Sequence, residues 1–188
     1  MIKDLQSLYW RLRRVVGRGR GITQDDTGPV QLVQLRCSNL ETFDDVPRVT
    51  EYGFQSNPPD GWDGVAIFFG GDRSSGVVIA TNHQQYRITK LAKGECALSD
   101  NQGQIVYLRQ SGILIQDKGG STVTMNGDGT GTLTFGKGLT VNANTKISGT
   151  LEVTQNITAD ADVLVSGMSV KSHNHTDPQG GVTGNMQG

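Results

Sequence analysis

Apolar residues hold one parity along a long stretch of this chain. Between Ser121 and Val165, 15 of the 23 odd positions are apolar, Leu133, Phe135, Leu139, Leu151, Val153 and Ile157 among them. Of the 22 even positions only Leu164 is apolar, and most others are Thr, Asn, Asp or Gly. Side chains alternate faces along a strand, so this pattern predicts one buried face and one wet face. An antiparallel domain is expected to reset its phase at each turn. Here the phase passes through breaks at Asn126–Gly129, Gly136–Gly138 and Ser148-Gly149. That predicts one regular, repetitive β object. The odd phase is extended back to Ile105, Tyr107, Ile113 and Ile115, and the repetitive segment is placed over 109–171. Met168 and Val170 are even, which predicts a bulge at Ser166-Gly167. The odd phase resumes at His173 and His175.

Upstream, the period changes. Leu5, Leu8, Tyr9 and Leu12 recur at helical spacing, with Ile2, Val15 and Val16 extending the stripe. They predict a helix over 1–16, stopped by Gly17 and Gly19, within an arm covering 1–24. Residues 25–108 predict a small antiparallel barrel of the oligonucleotide/oligosaccharide-binding type. Its strand candidates are Val30–Leu35, Val65–Phe69, Val77–Thr81 and Ile105–Leu108, separated by Gly/Pro/Asp turns. The fold class is therefore all-β, with an N-terminal helix, a barrel, a β needle and a short apex over 172–188.

Composition agrees with β-structure rich in turns: 26 glycines and only 6% aromatic residues. The net charge of −1 provides no global field for nucleic acid or membrane. Arg11, Arg13, Arg14, Arg18 and Arg20 crowd the N-terminus, but no aromatic interleaving or second basic patch accompanies them. They read as the solvated face of a docking helix. Cys37 and Cys96 have no CxxC spacing and read as buried free thiols. No signal-peptide pattern and no run of ~20 apolar residues is seen, so a soluble, non-exported product is expected.

A single ribbon of about 60 residues with one apolar face cannot cover that face or satisfy its own edges. Leu133, Phe135, Leu151 and Val153 would each contribute ~1.5–3 kcal/mol on full burial, and no long apolar helix is available to cover them. The simplest cover is the same face of identical chains around a common axis. This predicts a homotrimer with an intertwined, triple-stranded β-helical needle.

His173-Asn174-His175 is the one constellation that points to chemistry. Two imidazoles on one side of a strand make a weak site, but three chains on an axis would bring six. Six nitrogens suit octahedral iron(II), nickel or cobalt(II) rather than tetrahedral zinc. Such a closed set leaves no open position, so the metal would be structural. His83 reads as a loop residue. No nucleophilic triad, phosphate loop or paired carboxylates are found, and no enzymatic activity is expected.

These features resemble the central spikes of contractile phage baseplates, of the bacteriophage Mu type (baseplate assembly protein V family). The basic N-terminal helix, small barrel, parity-locked Thr/Gly-rich segment and the run from Ser172 to Gly184 with its HxH carry the resemblance. It implies a homotrimeric, membrane-piercing spike in the virion, driven through the host outer membrane by sheath contraction. It implies iron held at the apex by His173 and His175 of each chain, and attachment to a tail hub through the N-terminal region. Additional calcium or chloride ions in the needle are a family feature to which no residues are assigned. The rival functions are a trimeric receptor-binding fibre or adhesin, and a small metalloenzyme using the two histidines.

Overall fold

The structure is a computed structural model and describes residues 2–176, 178–182 and 184. The chain divides into two compact units, 1–139 and 140–188. It is mostly β, with one short helix.

Helix α1 (Ile2–Arg13) carries Asp4 in its first turn and Arg11 and Arg13 in its last, charges that complement the helix dipole. It ends earlier than its apolar spacing predicts, because β1 starts at Val16. Its end packs on a 3-10 turn, Phe69–Gly71. Gly71 has φ 74°, and a Cβ there would lie 2.3 Å from the Arg11 carbonyl oxygen. The apolar stripe itself stays exposed: Leu5, Leu8, Tyr9 and Leu12 all face solvent in the single chain.

Five strands close a barrel in the order β1-β2-β3-β5-β4. They are β1 (Val16–Asp25), β2 (Gln31–Ser38), β3 (Glu41–Arg48), β4 (Asp63–Phe68) and β5 (Gly76–Asn82). All neighbours are antiparallel except β3 and β5, which meet in parallel at Arg48 and Val78. The barrel thus begins in the segment assigned to the N-terminal arm. The physical reason is the run from Gly17 to Gly21, which alternates Gly with Arg18 and Arg20. That is a period-two pattern whose inward positions carry no side chain. A Cβ added at Gly17, Gly19 or Gly21 would meet Phe68, Leu35 or Trp62 at 2.8, 2.9 or 1.9 Å respectively. The large core residues occupy the space that side chains on β1 would need. The core is Val33, Leu35, Val46, Trp62, Ala66, Phe68 and Val78, with Cys37 and Phe43 packed against it.

A second sheet in the same unit has the order β10-β9-β8-β7-β6. Its strands are β6 (Cys96–Ser99), β7 (Ile105–Arg109), β8 (Gly112–Gln116), β9 (Thr122–Asn126) and β10 (Gly131–Thr134). The candidate strand at Ile105–Leu108 therefore belongs to this sheet and not to the barrel. The register puts Leu98, Val106, Ile115, Val123 and Leu133 in one cross-strand row. Cys96, Leu108, Ile113 and Met125 form the neighbouring row on the same face. Leu108 stands opposite Ile113, so the apolar phase changes from even to odd at the two-residue turn between β7 and β8. Ile105 and Tyr107 accordingly lie on the opposite face from Ile113 and Ile115, which corrects the single-phase expectation. From β8 to β10 the odd phase is kept by ordinary hairpins, because Ile115 faces Val123 and Val123 faces Leu133. Phase conservation up to Leu133 needs no solenoid.

Between Thr134 and Leu164 no strand is assigned. The apolar positions there are exposed in the single chain, with Leu151 at 62% and Ile157 at 68%. Of the cysteines, Cys37 is half-buried but Cys96 is exposed, against the expectation that both are buried. Both are free thiols.

Candidate metal centre

Among the described residues of the second unit, β11 (Leu164–Val165) and β12 (Met168–Ser169) form a hairpin. Ser166 and Gly167 connect them with φ of 51° and 83°. Two successive positive φ values are the signature of a tight two-residue turn whose twist suits a hairpin. Val165 faces Met168, and Leu164 faces Ser169. An odd position therefore pairs with an even one. This turn, and not a bulge, explains why Met168 and Val170 break the odd phase: they share a face with Val165 and Val163.

Asp162 closes the hairpin from outside. Its Oδ1 accepts from the amides of Val163 (2.8 Å) and Lys171 (3.2 Å). The Ser169 hydroxyl also donates to it, and this bond is the main cause that holds the carboxyl below the ordinary aspartate range. Ser169 Oγ in turn accepts from the Ser172 amide at 2.9 Å. Across the hairpin the Val170 amide donates to the Val163 carbonyl at 2.9 Å.

His173 follows directly. Its Nδ1 lies 2.7 Å from the Val170 carbonyl oxygen. A carbonyl can only accept, so Nδ1 carries a proton, and in the neutral ring Nε2 holds the lone pair. This is the arrangement by which metal-binding histidines are commonly oriented. The His173 and His175 rings lie with centroids 5.0 Å apart, nearly perpendicular. Residues 173–175 are not in a strand, so the two imidazoles meet without help from the alternation of a strand. Beyond them, Thr176 pairs with Val182 in an isolated antiparallel bridge. Asp177, Thr183 and 185–188, which the sequence assigns to the apex, lie outside the described residues.

The donor set, two imidazoles with one Nδ1 turned to a carbonyl, fits a borderline metal. Among the described residues of one chain, no group of three or more His, Cys, Asp or Glu side chains converges.

His83 lies elsewhere. Its Nδ1 accepts from the Gln85 amide, and its Nε2 faces the Asp60 carbonyl, both at 3.3 Å. The ring packs at a tilt against Tyr86, with centroids 4.5 Å apart. It ties two loops together. Two residues escape a reading of the sequence alone. Arg48 is buried at 8% exposure, with bonds to Gln31, the Ser56 carbonyl and hydroxyl, and Thr81. Asp162 resembles an ordinary polar even position. No local sequence signal marks Arg48. For Asp162 the signal is a small acceptor just before three apolar residues, Val163–Val165, and a Ser-Gly turn.

The barrel region carries the comparison with known proteins. Residues 18–85 match the family described as Bacteriophage Mu Gp45, N-terminal. The similarity to two gp45 proteins is partial. The baseplate puncturing device gp45 of Escherichia phage Mu is 28% identical over 111 residues, 59% of this chain and 56% of the relative. The Mu-like prophage FluMu protein gp45 of Haemophilus influenzae is 30% identical over 104 residues, 55% of this chain and 57% of the relative. The chain thus spans little more than half the length of these relatives. No described helix is long and apolar enough to cross a membrane.

Proposed function

We propose that this chain is a subunit of a homotrimeric central spike in a contractile-tail baseplate. The spike pierces the host outer membrane when the sheath contracts. The observation that carries this reading is the exposed odd lattice from Leu139 to Ile157, which has no strand partner among the described residues. It is joined in one chain to a barrel whose sequence is similar to that of a relative named as a puncturing device.

In this reading the part of 109–171 that lies between Thr134 and Leu164 winds with two further copies into a triple-stranded β-helix. The barrel is of the oligonucleotide/oligosaccharide-binding type, and with α1 it attaches the spike to the tail hub. The exposed stripe of α1 supports that role. His173 and His175 of three chains hold one Fe2+ at the apex, where it pins the chain ends against fraying. The metal supplies structure, not chemistry, since six nitrogens leave no position for a substrate. Calcium or chloride ions inside the needle belong to the same proposal, without assigned residues. The role is mechanical, with the virion baseplate as its location, and no nucleic acid is engaged.

The test is a particle carrying the chain truncated before Ser172. It should assemble and contract yet infect or puncture less efficiently. Equal performance of truncated and intact particles would remove the piercing role of the apex.

A further inference from the structure

We infer that Asp162 is a positioning residue for the His173 imidazole; this rests on the proposed role of His173 as a metal ligand. The carboxylate lies well before the histidine in sequence, yet an unbroken series of hydrogen bonds connects the two. Asp162 Oδ1 holds the amides of Val163 and Lys171, the two ends of the hairpin loop. It also accepts from the Ser169 hydroxyl, whose oxygen takes the amide of Ser172, the residue before His173. Val163, fixed by Asp162 on one side, accepts from the Val170 amide on the other. The Val170 carbonyl is then the acceptor for His173 Nδ1.

Two hydrogen-bonded routes therefore lead from one carboxylate to one imidazole. The first sets the backbone entering His173 through Ser169 and Ser172. The second sets the carbonyl that selects the tautomer. A hairpin of two residue pairs has little intrinsic stability. Without Asp162 it would open readily, and the Val170 carbonyl would lose its aim. The ring would then populate both neutral tautomers, and Nε2 would be the available ligand only part of the time. Outer partners of this kind commonly alter metal affinity by about 10–100-fold.

The test uses the full chain in its native assembly, with the three histidines labelled with 15N. In metal-free protein, His173 should show the Nδ1–H tautomer, and Asp162→Ala should shift it toward a mixture. With cobalt(II) as the probe metal, Asp162→Ala should bind roughly tenfold more weakly and show an altered visible spectrum. Asp162→Asn, which keeps an acceptor oxygen, should recover part of both. Wild-type tautomer and affinity in Asp162→Ala would overturn the positioning role. If Asp162→Ala fails to assemble, Ser169→Ala decides in its place: weakened binding with native mass supports the role, and unchanged binding overturns it. A His173→Ala/His175→Ala variant separates the two readings. Retained cobalt there would refute the histidine site itself, while the tautomer measurement would still judge Asp162.

Discussion

Single residues explain why this barrel closes where it does. Gly21 is buried beneath Trp62, the largest fully buried side chain. The Trp62 indole nitrogen donates to Gln24 at 3.2 Å, which fixes the ring over β1. A Cβ at Gly21 would sit 1.9 Å from an indole carbon, so the ring would have to move. Gly21→Ala is therefore expected to cost ~1–3 kcal/mol, the usual penalty of overpacking, read as a lower denaturant midpoint. Gly136→Ala, where a Cβ meets nothing within 4 Å, should be near neutral. Equal effects would refute the close-packing account of β1. Arg48 makes the complementary point. Its guanidinium is buried among neutral acceptors, and burial lowers its pKa from the ordinary arginine value, with Asp26 opposing. It links the loop at Ser56 to β2 and β5, a role that depends on distant partners which no local pattern encodes.

Elements show what pattern reading captures and where it stops. Strands Val30–Leu35, Val65–Phe69 and Val77–Thr81 announce themselves by β-branched runs between Gly and Pro turns. β1 does not, because its inward positions are glycines and a hydrophobicity scan sees only arginines. The phase from Ile113 to Leu133 is visible in the sequence, but its cause is not: register depends on hairpin length, which parity alone does not report. His173 and His175 are visible as a pair, while the Asp162 hairpin that orients one of them depends on contacts across the turn. The loop before β6 offers a test at this scale. Glu95 accepts from the Tyr107 hydroxyl and from the amides of Ala92 (2.9 Å) and Gln110 (3.1 Å). The Tyr107 bond, foremost, holds the Glu95 carboxyl below its ordinary value, and the same bond raises Tyr107. A depressed carboxyl contributes stability above its unfolded pKa and loses it as pH falls through the folded one. Hydrogen-exchange protection at Ala92 and Gln110 should therefore drop as pH falls below about 4.5, the ordinary glutamate value. Glu95→Gln should remove that acid limb. A limb that persists in Glu95→Gln would assign it to another carboxylate.

At the scale of the whole molecule, the decisive fact is how much apolar surface one chain leaves uncovered. The row Leu98, Val106, Ile115, Val123 and Leu133 crosses five strands on one face, and Leu98 is 63% exposed. Leu139, Val141, Ile147, Leu151, Val153 and Ile157 continue the exposure through the stretch without intrachain pairing. An apolar surface of this extent marks an interaction site. The proposed trimer should sediment as such at micromolar concentration, and a stable folded monomer would refute the assembly. Leu151 and Thr150 separate the two faces. Leu151→Asp would gather three carboxylates in an apolar interior, where an unpaired charge is strongly disfavoured, so the trimer should weaken or fail to form. Thr150→Asp puts the same charge one position away, on the wet face, and should leave mass and melting nearly unchanged. Equal damage from both substitutions would mean that the odd lattice does not face the axis. Tolerance of Leu151→Asp would mean that this part of the chain is not buried in any assembly.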